Sequence, residues 1–188
     1  MFPLALDLGL MPTLLVGGGP ASLKRLGLIE AAGATDLRIL APDPDVAFAE
    51  AAAGRLERRL PGASDFARAR VVFVADLPYE TARPIAEAAR AARCLVNVED
   101  VLDLCDFHVP ATVRRGDLLL AVSTGGRSPG LARLLKAHLG ETFGPEWENH
   151  LQDLGNARLA WRAEGRGPAE ISRLTAEMIR ARGWLGGA

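Results

Sequence analysis

The sequence has few of the residues that mark disulfide-rich, metal-binding or membrane-spanning proteins. Its 188 residues contain two cysteines and three histidines. Two cysteines exclude a disulfide framework and a Cys-rich metal site. The histidines, His108, His138 and His150, lack the spacing of paired zinc ligands. The sequence therefore predicts no resident metal.

Long apolar runs are also missing. No run reaches the ~18–20 residues that a helix needs to cross a bilayer, and residues 1–9 lack the basic region typical of a signal peptide. We therefore expect a cytoplasmic protein that does not enter a membrane.

An excess of charge of either sign is absent as well. Basic residues number 22 and acidic residues 23, giving a net charge of −1, which argues against a general nucleic-acid binder. Only two basic residues are lysines, Lys24 and Lys136. Two explanations stay open: genome base composition, or recognition of carboxylates and phosphates, which guanidinium groups bind bidentately.

Strand and helix patterns alternate over the first hundred residues. This alternation predicts an α/β fold, an open parallel sheet with helices on both faces. Predicted strands cover 13–16, 37–41, 58–60, 71–75 and 94–98, and predicted helices cover 21–32, 47–55 and 79–92.

The pattern changes after Asp100. Two strand-like segments, 107–111 and 117–122, flank a turn at 114–117. A glycine-containing loop, 123–129, then precedes a helix over 130–138, and two further helices are predicted over 146–164 and 169–182.

The first motif with chemical meaning is Gly17-Gly18-Gly19-Pro20-Ala21-Ser22, between a strand and a helix. It fits the dinucleotide-binding pattern, in which glycines allow a tight turn and helix amides face the phosphates. A structural turn is the alternative. Asp43, after the next strand, could bond a ribose hydroxyl and favour NAD over NADP, or belong to an ordinary Asp-Pro-Asp turn.

A second motif, Asn97-Val-Glu99-Asp100, ends a buried strand, where ligands of open α/β sheets bind. Near a nicotinamide, an acid there is a candidate general base; a helix cap or loop acid is the alternative. Crowding of Glu99, Asp100, Asp103 and Asp106 could raise a carboxylate pKa.

A third motif, 123–129, combines hydroxyls, glycines and Arg127 before a helix that carries Arg133 and Lys136. With Arg114 and Arg115 it forms a basic group that could bind a polycarboxylate. A solvated helix face is the alternative.

Several different short motifs follow one another along the chain. They lie at 3–8, 15–19, 41–42, 95–98 with Asp100, 104–107, 114–116 and 123–129. In this combination residues 1–140 resemble the precorrin-2 dehydrogenase/sirohydrochlorin ferrochelatase family, the N-terminal module of siroheme synthases. The resemblance implies an NAD-binding Rossmann domain over 1–110, a dimerisation segment over 111–144, a helical domain over 145–188, and a homodimer.

The resemblance further implies oxidation of precorrin-2 to sirohydrochlorin with NAD⁺ and, in some members, insertion of Fe²⁺ as a substrate. Two alternatives stay open. One is a dehydrogenase without chelatase activity, and the other is a non-catalytic regulator that binds a dinucleotide or tetrapyrrole on the same fold.

Roles for individual residues also follow from the resemblance. The catalytic aspartate of the family falls on Asp100, which would take a proton while NAD⁺ takes a hydride. NAD contacts are expected at Gly17, Gly18, Gly19, Pro20, Ala21, Asp43, Ala75 and Asp76. Contacts to the polycarboxylate tetrapyrrole are expected at Asn97, Arg114, Arg115, Ser123, Thr124, Gly125, Gly126, Arg127 and Ser128.

Two departures from the family pattern stand out. Glu99 replaces a usual valine beside the expected base, and residues 74–77 read Val-Ala-Asp-Leu where the family commonly has Ala-Thr-Asp-Asp.

Overall fold

A computed structural model describes residues 2–186. The chain divides into two compact units, Met1–Val109 and Pro110–Ala188. The second unit holds both segments that the sequence analysis separates at residue 144, and the three-part division stays a prediction. Residues 1, 187 and 188 of the predicted domains lie outside the described residues.

The first unit is an α/β fold around a five-stranded parallel sheet, ordered β3-β2-β1-β4-β5. The predicted fold class is thereby confirmed. Its strands are β1 (Thr13–Val16), β2 (Leu37–Leu40), β3 (Leu56–Glu57), β4 (Val71–Val74) and β5 (Leu95–Val98). Its helices are α1 (Pro20–Ala31), α2 (Val46–Ala52), α3 (Ala63–Arg68) and α4 (Tyr79–Ala91), with a short 3₁₀ turn at Leu102–Leu104.

The core of this unit lies on both faces of the sheet, because strands β1 and β4 are buried along their whole length. One face packs Leu14 and Val72 against Ile85 of α4. The other packs Leu15 against Leu26 of α1 and Phe48 of α2. This two-sided burial explains why β1 and β4 read as continuous apolar runs.

Helix α3, which the sequence analysis did not predict, is anchored by a buried carboxylate. Asp65, 2% exposed, accepts the backbone N–H of Gly62 at 2.7 Å. Its two oxygens also bind Arg59 at 2.6 and 2.9 Å, and Arg38 lies 2.8 Å away. The arginines therefore neutralise the charge that α3 carries into the unit.

Two predicted strands are wrong in position. The third strand pairs at Leu56–Glu57 and not at 58–60, because the backbone N–H of Arg59 donates to the Glu57 carbonyl in a local turn and not to a neighbouring strand. Residues 107–111 are not a strand, since Pro110 has no N–H for a ladder. The hairpin strand begins at Ala111 instead. It includes Arg114 and Arg115, which the sequence analysis assigns to the turn.

The second unit combines a hairpin with three helices. Strands β6 (Ala111–Arg115) and β7 (Leu118–Val122) pair antiparallel, and helices α5 (Pro129–Thr142), α6 (Trp147–Ala163) and α7 (Pro168–Ala181) follow. Helix α5 contains no buried residue, and Leu131, Leu134 and Leu135 on it are exposed. This unit therefore leaves apolar surface uncovered within a single chain.

Candidate functional site

The glycine loop lies between β1 and α1, where the backbone has no room for side chains. Gly17 has φ +125°, and a Cβ atom there would lie 1.9 Å from the carbonyl oxygen of Ala75. A Cβ atom at Gly18 would lie 2.6 Å from Cα of Pro44. The loop is thus wedged between the segments that follow β2 and β4, and both positions require glycine.

The N-terminus of α1 holds an anion that the chain itself supplies. The carboxylate of Asp76, which follows β4, accepts backbone N–H groups from Gly19 at 3.1 Å, Ala21 at 3.3 Å and Ser22 at 2.6 Å. Partial burial of Asp76 works to raise its pKa, but these hydrogen bonds outweigh that effect and lower it. The loop amides are therefore arranged for negatively charged oxygen.

These donors fit the phosphate oxygens of NAD, since phosphate and carboxylate oxygens accept the same backbone N–H groups. The residues Gly17, Gly18, Gly19, Pro20 and Ala21, together with Ala75 and Asp76, converge on this one loop. They remain predicted cofactor contacts. Of the Asp-Pro-Asp turn, Asp45 caps α2 by accepting Phe48 N–H at 2.7 Å, and Asp43 is exposed beside it.

Asp100 follows β5 at the same carboxyl edge of the sheet. It has φ +59°, in a turn closed by the bond from Val101 N–H to the Val98 carbonyl at 3.3 Å. Its side chain is exposed and forms no hydrogen bond or ion pair with any residue of 2–186. Among the described residues, this carboxylate therefore faces solvent without a protein partner.

The other acids of the crowded stretch are all engaged. Asp103 accepts the hydroxyl of Tyr79 at 3.0 Å. Asp106 accepts Arg90 Nε at 2.7 Å and Val96 N–H at 2.9 Å. Glu99 is paired with Arg25. Of the four neighbouring carboxylates, three therefore have partners, and Asp100 has none among the described residues.

Arg25 on α1 is the buried partner that the sequence analysis did not identify. The residue is 7% exposed, its guanidinium carbon lies 5.5 Å from the Phe73 ring centroid, and Nη2 is paired with Glu99. Burial lowers the Arg25 pKa, while the negative charge of Asp100 opposes that effect. Its Nη1 is buried without a partner among the described residues.

Asn97 lies on β5, the strand that precedes the Asp100 turn. Its Nδ2 donates to the carbonyl of Phe107 at 2.9 Å and to Cys105 Sγ at 3.5 Å. Its Oδ1 is buried and has no partner within the described part of the chain. Cys105 also bonds the Val98 carbonyl at 3.1 Å, and burial raises the pKa of this thiol. Arg25 Nη1 and Asn97 Oδ1 are thus an unused donor and an unused acceptor at this edge.

The second glycine-containing loop, in the second unit, is satisfied by its own side chains. Thr124 Oγ1 accepts Ser128 N–H at 3.3 Å, and Ser123 Oγ accepts Gly125 N–H at the same distance. Ser128 Oγ caps α5 by accepting Leu131 N–H at 3.3 Å. Gly125, Gly126 and Arg127 are exposed, so only the Arg127 side chain extends from the loop without a partner among residues 2–186.

The two hairpin arginines differ. Arg115 donates to the carbonyls of Phe143 at 2.9 Å and Gly140 at 3.0 Å, at the end of α5. Arg114 is exposed. Both remain predicted substrate contacts, but Arg115 already serves as a cap of α5.

A groove between α6 and α7 was not foreseen from the sequence. It has a volume of about 460 Å³ and is lined by Arg158, Arg162 and Arg166 with Ser172 and Thr175. Spacing of the arginines at i, i+4 and i+8 is the signal that could have indicated it. Within residues 2–186 no cluster of three metal-ligand side chains occurs, and no helix there is long and apolar enough to cross a membrane.

Comparison with known families gives two matches. Residues 4–111 match a family model described as "Putative NAD(P)-binding". Residues 115–142 match the model described as "Sirohaem biosynthesis protein central".

Among individual proteins, the siroheme synthase of Methylococcus capsulatus is 38% identical over 140 residues, covering 73% of this chain and 29% of that protein. The siroheme synthase of Psychrobacter arcticus is 33% identical over 177 residues, covering 93% of this chain and 31% of that protein. The chain therefore spans less than a third of the length of these relatives. The solved structure of SirC, precorrin-2 dehydrogenase, superposes with a TM-score of 0.80 at 25% identity, covering 99% of this chain and 93% of that one.

Proposed function

Because the chain belongs to the NAD(P)-binding family that its residues 4–111 match, we propose that it oxidises precorrin-2 to sirohydrochlorin with NAD⁺. The siroheme synthases and the precorrin-2 dehydrogenase to which it is similar support this substrate. NAD is the cofactor that the family and the glycine loop indicate.

One observation carries the proposal. The carboxyl edge of a single parallel sheet presents an anion-holding loop after β1 and an unpartnered carboxylate, Asp100, after β5. Ligands of open α/β sheets bind at that edge. A dehydrogenase that removes a hydride and a proton needs a cofactor site and a base close to each other.

Each residue has a defined task in this proposal. NAD⁺, when bound, supplies the hydride acceptor. The amides of Gly19, Ala21 and Ser22 would hold its pyrophosphate, and Asp43 would bond a ribose hydroxyl. Asp100 takes the proton released from the macrocycle, because its carboxylate has no competing partner among residues 2–186.

The surroundings of Asp100 keep it in that role. Arg25 holds Glu99, so the neighbouring carboxylate is already an acceptor and does not compete for the proton. Asn97 fixes the segment below the turn through Phe107. We propose Asn97, Arg114, Arg115 and residues 123–128 as substrate contacts, of which the arginines suit the acidic side chains of the substrate.

Insertion of Fe²⁺, as a substrate, is a second candidate activity. The observation that favours it is the same free carboxylate, because chelation displaces pyrrole protons that Asp100 could accept. We further propose a cytoplasmic location, which two free thiols support.

We also propose a homodimer. Leu119 of β7 and Leu131, Leu134 and Leu135 of α5 are between 39% and 66% exposed, and a second copy would cover this apolar face. Sedimentation velocity tests this: Leu134→Glu should give monomers where the wild type gives dimers, and a monomeric wild type at micromolar concentration refutes it.

The activity is tested by anaerobic incubation with precorrin-2, with and without NAD⁺, followed by absorbance. Formation of sirohydrochlorin that depends on NAD⁺ supports the proposal, and subsequent addition of Fe²⁺ tests chelation against the rate without enzyme. Binding of NAD⁺ without oxidation contradicts it and favours the non-catalytic regulator.

A further inference from the structure

The amides at the start of α1 form an anion-binding array in the first unit, and Asp76 occupies them. Three N–H groups from Gly19, Ala21 and Ser22 converge on the two oxygens of this carboxylate. In the proposed function, the same donors hold the cofactor pyrophosphate. Two anions cannot use the same N–H groups at once.

The fit between Asp76 and the loop is close. A Cβ atom at Gly19 would lie 2.8 Å from Cγ of Asp76, so the carboxylate packs directly against the loop backbone. Asp76 itself has φ +54°, a conformation that a non-glycine residue adopts at a cost. The bonds to the amides offset this cost and hold the side chain on the loop.

We propose that Asp76 is an internal competitor for the cofactor pyrophosphate and thereby sets the affinity for NAD⁺. The carboxylate leaves the amides when the cofactor binds, and its negative charge then remains beside the phosphates. Both effects weaken binding, one through lost hydrogen bonds and one through like-charge repulsion. The inference rests on the proposed function only for the identity of the cofactor.

A capping role alone predicts something different. If Asp76 only stabilises the start of α1, its replacement loosens the loop, and NAD⁺ binding weakens or stays constant. If it competes, its replacement lowers stability and at the same time tightens NAD⁺ binding. Opposite signs of the two effects therefore distinguish competition from capping.

The chain offers a matched control. Asp45 also caps a helix N-terminus, that of α2, by accepting Phe48 N–H at 2.7 Å, but it does not bind the glycine loop through its side chain. Asp45→Asn should lower stability without tightening NAD⁺ binding.

Isothermal titration calorimetry with NAD⁺, and separately with inorganic pyrophosphate, is the test. We use Asp76→Asn, since asparagine tolerates positive φ, and Asp76→Gly, which also relieves that conformation. Both variants should bind NAD⁺ about tenfold more tightly than the wild type. Urea unfolding should show a lower midpoint for Asp76→Asn, and circular dichroism establishes that each variant is folded.

Unchanged or weaker NAD⁺ binding by both folded variants overturns the proposal. The outcome is independent of catalysis. A wild type that fails to oxidise precorrin-2, while both Asp76 variants bind NAD⁺ more tightly, refutes the proposed function and leaves the competition intact. A wild type that oxidises precorrin-2, while neither Asp76 variant binds NAD⁺ more tightly, supports the proposed function and refutes the competition.

Discussion

The loops before α1 and α5 both contain glycines, and they satisfy their backbone groups in opposite ways. The loop before α1 donates to Asp76, which lies 54 to 57 residues away in sequence. The loop before α5 uses Ser123, Thr124 and Ser128, all within four residues of the groups they bind. Two similar sequence patterns therefore have different partners. The loop before α1 is held by a residue distant in sequence, and the loop before α5 is held by its own side chains.

The difference bears on what each loop can bind. The first loop keeps an array of donors directed at one place, which Asp76 occupies and which, in our proposal, the cofactor gains by displacing it. In the second loop Thr124 and Ser128 already hold backbone groups, and Arg127 is its exposed charged side chain. The first is suited to a phosphate, and the second to an acidic group at the surface.

The largest expected effect separates the chemistry of the two regions. Asp100→Asn, beside the first loop, should lower kcat for precorrin-2 oxidation by about 10²–10⁴-fold, because the proton loses its acceptor. Arg127→Gln, on the second loop, should raise KM and leave kcat nearly unchanged. Steady-state kinetics on both variants decide it, with calorimetry to verify that each still binds NAD⁺. An Asp100→Asn variant with wild-type kcat removes Asp100 from the reaction.

A second comparison exchanges one glycine in each loop for alanine. Gly17→Ala should cost roughly 3 kcal/mol or more of unfolding free energy, since its Cβ would overlap the Ala75 carbonyl and φ is positive. Gly125→Ala, in open space with φ +61°, should cost only about 1 kcal/mol. Urea unfolding measures both, and equal costs contradict the distinction between a packed and an open loop.

Acid should act on the first unit through Asp65. Hydrogen bonds from Arg59 are the main cause that holds the pKa of Asp65 far below its usual range, with Gly62 N–H and Arg38 adding to it. A depressed folded-state pKa stabilises the protein above the unfolded-state value of about 4, and this contribution is lost as the pH falls through the folded-state pKa.

Asp65→Asn should therefore destabilise by about 2 to 3 kcal/mol near neutrality and flatten the acid dependence. Urea midpoints followed by far-UV circular dichroism across the acid range test this. All three tryptophans, Trp147, Trp161 and Trp184, lie in the second unit, so their fluorescence gives a parallel reading for that unit. An unaltered acid slope in the variant contradicts the assignment.

The smallest expected effect concerns the local cap. Ser128→Ala should cost about 1 kcal/mol, typical for loss of an N-cap hydroxyl, and should leave NAD⁺ affinity unchanged because that loop belongs to the other unit. Urea unfolding and calorimetry measure the two quantities. A change in NAD⁺ affinity would break the separation between the loops.

Local pattern and burial explain what the sequence could predict. The sequence predicts β1 and β4 because they are short runs buried on both faces, and β5 because Leu95, Val96 and Val98 are apolar. The glycine loop follows from its place between a strand and a helix. Asp100 was predicted by its position after β5. These inferences need only the order of elements along the chain.

Contacts between distant residues explain what could not be predicted. The two-residue strand β3 has too little pattern of its own, and the ion pair between Arg38 of β2 and Asp65 of α3 joins elements that lie apart in sequence. Asp76 was expected to contact the cofactor, yet no local signal indicates that it binds the helix amides first. The same holds for the pairing of Arg25 with Glu99, 74 residues apart.

That buried pair constrains how the sequence can change over evolutionary time. Loss of Glu99 alone would leave the buried Arg25 charge without its ion-pair partner. Loss of Arg25 alone would leave the Glu99 carboxylate, next to Asp100, without its ion-pair partner. Each single substitution is costly, whereas the double replacement is tolerable. We therefore expect the residues at positions 25 and 99 to be replaced together, and not singly, among descendants of this chain.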